Sequence, residues 1–164
     1  MKIEKPGDKE LQELYRKFGE PEIKEEEVSL SALEYKEDYP KCKGEAVLEI
    51  NKDDEVVGVR HPGGEKFVLP MGRVWECEDF IEGAKREAKE ETGLEVSITD
   101  LKEIRKVLFH FSKAELQRWH LLFEAEATGG KLEPEDEDEI ADAGLFETRW
   151  YWGKGFYIIP SQPL

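Results

Sequence analysis

Three carboxylates, Glu87, Glu90 and Glu91, fall within five positions of the stretch AKREAKEETGL. On a helix, like charges four apart, such as Glu87 and Glu91, cost roughly 0.2–0.5 kcal/mol per pair. Placing residues 80–92 at about 100° per residue gathers Phe80, Ile81, Ala84 and Ala88 on one apolar face. The three carboxylates lie beside that face, with Glu91 inside the apolar arc and Gly83 leaving their sector open. Glu82, Lys85 and Lys89 occupy the far side. One reading is a solvated helix laced with ion pairs, such as Glu82 with Arg86 and Arg86 with Glu90. That reading leaves the convergence at the edge of the buried face unexplained, because carboxylates placed there need cations or take up protons. No lysine shares the sector and Arg86 stands at its margin. A hard divalent cation with oxygen ligands meets the need, and Mg²⁺ is the natural occupant where phosphate is also present.

The surrounding chain must position this helix. It is expected over about 79–92, closed by Gly93 and preceded by a loop over 72–78. AVLEI (46–50), the turn NKDDE and VVGVRH (56–61) predict a hairpin, and KFVLP (66–70) a short strand. Residues 103–111 and 118–128 read as strands around the apolar residues Phe109, Phe111 and Trp119, which are core candidates. GGKLEPEDEDE (129–139) reads as a turn and acidic loop, and the aromatic C-terminal segment as strand or loop. Near the N-terminus, residues 8–19 predict an amphipathic helix with Asp8 as N-cap, Leu11, Leu14, Tyr15 and Phe18 on one face and Gly19 as C-cap. A strand over 25–35 follows. The first 35 residues form an extension, as a cap on the main body or a homodimer contact, and residues 36–164 the main domain. The order of elements implies an α/β layer fold, with a mixed sheet against a central helix.

Composition narrows the functions. In 164 residues, 39 acidic against 24 basic side chains give a net charge of -15, which repels a phosphate backbone and argues against a nucleic-acid groove binder. A small anionic substrate stays compatible, since local cations or bound metal reverse the field at one site. No apolar run approaches a membrane span and no signal peptide pattern opens the chain, so a soluble cytoplasmic protein is expected. Cys42 and Cys77 lack metal-site spacing and are expected as reduced thiols.

The segment GRVWECEDFIEGAKREAKEETGL (72–94) resembles the Nudix hydrolase signature, matching it without a gap at Gly72, Glu78, Arg86-Glu87-Ala88, Glu90-Glu91 and Gly93-Leu94. The resemblance implies an α/β/α sandwich with a mixed β-sheet and hydrolysis of a diphosphate bond joining a nucleoside to another group. It implies dependence on Mg²⁺, or sometimes Mn²⁺. Glu87, Glu90, Glu91 and the backbone carbonyl of Met71 would ligate metal, Arg86 would pair with Glu78, and Gly72 would allow a tight loop. Family members often supply a further carboxylate, as metal ligand or general base, from the loop before a late strand; Glu139 occupies that place. Arg60, His61 and Lys66 flank a loop where relatives often meet substrate and are candidate phosphate contacts. His110 and His120 have no part in the implied chemistry. The chain departs from many relatives in carrying Met71-Gly72 for Gly-Gly and Trp75-Glu76-Cys77 for Glu-Pro-Gly; Trp75 is expected to pack on the sheet, with base stacking as the alternative. Markers of the ADP-ribose, diadenosine polyphosphate, NADH and coenzyme A subgroups are absent, which leaves a nucleoside triphosphate or ADP-sugar type of substrate. The competing class is a Nudix module that binds a nucleotide without cleaving it.

Overall fold

A computed structural model of the chain describes residues 1–36 and 41–147. Ten elements follow in order: β1 (Lys2–Glu4), α1 (Asp8–Phe18), β2 (Glu22–Leu30), β3 (Cys42–Lys52), β4 (Glu55–Arg60), β5 (Met71–Trp75), α2 (Phe80–Thr92), β6 (Leu94–Phe111), β7 (Glu115–Gly130) and β8 (Asp142–Glu147). The strands form one mixed sheet in the order β2-β6-β7-β3-β4-β8, with β1 added to β7 and β5 to β3. The α/β class with a mixed sheet is therefore as expected. The aromatic C-terminal segment beyond Glu147 lies outside the described residues.

Alternation along β3 sorts the core. Ala46, Leu48 and Ile50 point to one face and meet Leu121, Phe123 and Ala125 of β7 in parallel register. On this face the helices α1 and α2 contribute Leu11, Leu14, Phe80, Ala84 and Ala88 to one large cluster. Val47 points the other way and joins Val56, Leu69 and Leu122 in a smaller cluster, covered by Phe67, Met71 and Phe146. The hairpin of β3 and β4 turns at Asp53 and Asp54, whose φ values of 50° and 65° suit the two-residue turn that twisted strands favour.

Several sequence expectations shift in the fold. The N-cap of α1 is Gly7, and Asp8 lies in the first turn, where its charge favours the helix dipole. Residues 66–70 are not a strand: only Val68 bridges to Val59, and the pairing edge of β3 is taken by β5. The expected loop over 72–78 is thus a strand to Trp75 followed by a turn. The expected strands at 103–111 and 118–128 lie within a longer antiparallel ribbon of β6 and β7, whose pairing carries three register shifts. The N-terminal residues are knitted into the sheet, β1 running parallel to β7 and β2 parallel to β6.

Candidate active site

The catalytic candidates converge because α2 is pinned at both ends. At its start, the Asp79 side chain accepts a hydrogen bond from the Glu82 N–H at 2.8 Å. At its end, Gly93 adopts the left-handed conformation (φ 78°) and its N–H bonds the Lys89 carbonyl. The acidic loop then docks on the freed carbonyls of this terminus. The Glu133 N–H donates to Thr92 O, and the N–H groups of Glu135 and Asp136 donate to Glu90 O, at 2.9–3.1 Å. A Cβ on Gly93 would stand 2.3 Å from the carbonyls of Lys131 and Glu133, so glycine is required by this contact as well as by its φ. The docked loop carries Glu139 to the mouth of a cleft of about 620 Å³, which Glu87, Glu90, Arg86, Met71 and Gly72 also line.

Within the cleft the three helical carboxylates differ in depth. Glu91 is 1% exposed and Glu87 6% exposed, and Glu90 is only half-buried. Glu91 is the deepest of the three, as the helical projection has it. Its Oε1 accepts the Met71 N–H at 3.0 Å, while its Oε2 is buried with no hydrogen-bond partner. Burial pushes the Glu91 carboxyl up to about 9, and the nearby charge of Glu87 adds to the rise. Burial likewise raises Glu87, to about 7, although Arg86 opposes the shift. Gly72 lies opposite: a Cβ there would fall 2.0–2.4 Å from the Glu87 carboxylate. Gly72 is therefore needed for the close approach of Glu87, within a strand, and not for a tight loop. Gly83 does not leave an open sector either, because Val74 of β5 fills the space above it.

Arg86 organises the rim. Its Nε and Nη2 grip Glu78 in a two-pronged pair at 3.1 and 2.6 Å, and Nη2 also donates to the Arg73 carbonyl. Its Nη1 reaches Glu87 at 2.7 Å and Glu90 at 3.1 Å. Burial works against an ionised Glu78, yet Arg86 and the Trp75 N–H hold its carboxyl below the usual range. For Glu139, burial and a hydrogen bond with Asp136 raise the carboxyl.

The outer candidates separate. His61 lines the cleft and its Nδ1 meets the Glu139 carbonyl at 3.1 Å, so it braces the acidic loop. Arg60 bonds the Gly64 carbonyl and braces its own loop, and Lys66 is exposed outside the cleft lining. Trp75 does line the cleft. Two lining residues escaped sequence reading: Glu45 of β3 and Arg73 of β5, which face each other across the ladder. Their juxtaposition exists only once residues 71–75 are recognised as a strand. Trp119 is buried in the core, His120 is buried near Glu45, and Phe109 and Phe111 are half-buried elsewhere on the sheet. Cys42 and Cys77 are free thiols.

The donor set suits a hard cation. Glu91 offers an unpartnered carboxyl oxygen, which a cation would hold in the ionised form, and Glu87 and Glu90 offer further oxygens on the same helix. Among the described residues no three His, Cys, Asp or Glu side chains form a preassembled metal cage; Arg86 Nη1 stands between Glu87 and Glu90 in its place. No helix among the described residues is long and apolar enough to cross a membrane.

The NUDIX domain family model matches residues 40–152. The chain is similar to the 8-oxo-dGDP phosphatase NUDT18 of Danio rerio, with 30% identity over 105 residues, covering 62% of this chain and 29% of that protein. The matched part is thus less than a third of that relative's length. Among solved structures, a NUDIX hydrolase from Nitrosomonas europaea is similar at 21% identity and a TM-score of 0.51, covering 71% of this chain and 61% of its own. A MutT NUDIX hydrolase from Burkholderia pseudomallei is similar at 19% identity and a TM-score of 0.51, covering 73% of this chain and 87% of its own. At these identities the structural likeness is one of fold.

Proposed function

Because the chain belongs to the Nudix hydrolase family, whose domain covers residues 40–152, we propose that it cleaves the diphosphate bond of a nucleoside diphosphate joined to a further group. The observation that carries this reading is the buried Glu91 carboxylate, 1% exposed and with one oxygen unpartnered, beside Glu87, also buried though less deeply. Buried carboxylates of this kind call for a cation. Glu87, Glu90 and Glu91, with the Met71 carbonyl at the end of β5, are the groups that would hold Mg²⁺ or Mn²⁺. A bound divalent ion neutralises diphosphate charge and makes water a stronger nucleophile.

The chain's own residues supply placement and proton handling. The Met71 N–H fixes the Glu91 carboxylate, the bare Cα of Gly72 gives Glu87 its space, and the Arg86–Glu78 pair holds strand β5 against helix α2. Glu139, at the outer edge of the cleft, takes the proton of the attacking water. The products are a nucleoside monophosphate and the phosphorylated remainder. Sedimentation velocity tests the homodimer raised by the N-terminal extension.

The test is a panel of nucleoside triphosphates and nucleoside diphosphate sugars incubated with Mg²⁺ or Mn²⁺, with nucleotide release measured by chromatography. Glu90→Gln and Glu91→Gln should each abolish turnover while the circular dichroism stays unchanged. Full activity in both variants would sink the metal assignment. Tight nucleotide binding with no cleavage by the wild type would instead make the chain a binding module. Mg²⁺ and nucleotide together should raise the melting temperature.

A further inference from the structure

A second cavity of about 250 Å³ adjoins the catalytic cleft and shares Arg73 with it. Its walls are aromatic: the Tyr35 and Phe111 rings lie 5.4 Å apart and the Phe109 and Phe111 rings 6.4 Å apart, both tilted. Leu30 and Leu116 extend the apolar lining, and Lys36 and Arg118 join Arg73 as basic residues of the wall. Arg118 also bonds Glu45, a lining residue of the catalytic cleft, at 3.1 Å, so the two spaces meet along the β3–β5 edge. The Tyr35 hydroxyl is buried with no hydrogen-bond partner among the described residues. Leu30 and Tyr35 come from the N-terminal extension, before the family match begins at residue 40.

Half-buried aromatic rings around a small space, beside a cleft built for phosphates, match the two ends of a nucleotide. Pockets for drug-sized ligands run to about 300–1,000 Å³, so the smaller cavity suits one planar ring system and not a whole nucleotide. We propose that this side cavity receives the nucleobase of the substrate, stacked against Phe111 and Tyr35, with Arg73 meeting the phosphates where the two cavities join. The unpartnered Tyr35 hydroxyl then finds a partner on the base edge. The inference rests on the hydrolase reading for its phosphate half, but the base half stands alone: Tyr35, outside the shared domain, and Phe111, within it, would together set which nucleotide is taken.

Two measurements separate the halves. The first is calorimetric binding of AMP and GMP, with ribose 5-phosphate as the base-free probe, in the presence of a metal chelator. Wild type should bind at least one of the nucleotides more tightly than ribose 5-phosphate, and Phe111→Leu and Tyr35→Leu should weaken that nucleotide by about 5- to 100-fold, the range expected for loss of one stacking ring. Equal affinity for nucleotide and ribose 5-phosphate in wild type, or unchanged nucleotide affinity in both variants, overturns the proposal whether or not the protein is a hydrolase. The second is the ratio of kcat/KM for the best nucleotide substrate to that for 5-phosphoribosyl 1-pyrophosphate, a diphosphate with no base. Phe111→Leu should lower this ratio about tenfold, mainly through KM; a ratio equal to that of wild type counts against the base site. If neither compound is cleaved, the hydrolase reading fails while the calorimetric result still decides the base site.

Discussion

Replacing Glu91 with glutamine should stabilise the metal-free protein while destroying its activity. In the fold Glu91 titrates at about 9, against 4.5 for the free side chain, so between those values the native state holds a proton that the unfolded chain releases. Unfolding therefore releases a proton in this window, and native stability falls as pH rises, by about 1.4 kcal/mol per pH unit. The stability is fully present below the unfolded value and is lost progressively up to the folded one. Glutamine mimics the protonated acid: its amide oxygen keeps the Met71 N–H bond, and it has no proton to lose on unfolding. From about pH 5.5 to about pH 8 the variant should gain about 3 kcal/mol relative to wild type, a ceiling that water entry around Glu91 reduces. For a chain of this size that is a relative melting shift of about 6–12 °C. Urea denaturation followed by tryptophan fluorescence, in chelator at both pH values, reads the difference directly, with equal m-values as the control. Because the charge of Glu87 adds to the rise of Glu91, the same comparison in a Glu87→Gln background removes the coupling between the two and leaves the Glu91 difference alone. Parallel stability–pH curves for the two proteins would refute the reasoning, because they would mean that Glu91 ionises in the fold without cost. Saturating Mg²⁺ should shrink or invert the difference, since the ion favours the ionised wild-type side chain.

Three further outcomes follow from the same geometry. Gly72→Ala places a methyl group within 2.0–2.4 Å of the Glu87 carboxylate; kcat should fall about 100-fold with the secondary structure retained by circular dichroism. Arg86→Lys keeps the charge but loses the two-pronged grip on Glu78 and the reach to the Arg73 carbonyl, and should cost about 2 kcal/mol in urea denaturation because the pair is partly buried. Glu139→Gln should lower kcat about 100-fold and leave the melting temperature nearly unchanged, its side chain being exposed; steady-state kinetics beside a thermal scan checks both.

The helix and its carboxylates were legible because one helical turn repeats every 3.6 residues, and a projection needs nothing beyond the sequence. The depth of Glu91 came from that period, and the end of the helix from Gly93 as a stop signal, whereas the capping role of Asp79 became visible only in the fold. What stayed hidden depends on pairing across long stretches of chain. MGRVW is a short strand because β3 offers it an edge, and only that edge puts Arg73 opposite Glu45. The same holds for β1 and β2, whose parallel partners lie more than seventy residues away. The purpose of Gly72 was hidden for a related reason: its neighbour Glu87 is close in space and fifteen positions away in sequence. Lys66 and Arg60 carried a charge suited to phosphate, but charge alone does not place a side chain in the cleft.

The docking of the acidic loop on α2 is made by main-chain N–H groups at positions 133, 135 and 136. Such a clasp is indifferent to most of the side chains it carries. Glu137 and Asp138 are exposed and belong to none of these bonds, so the segment offers a tract that protein engineers can rewrite. Neutral or basic residues at those two positions would retune the electrostatic approach of an anionic substrate while Glu139 keeps its station at the mouth of the cleft.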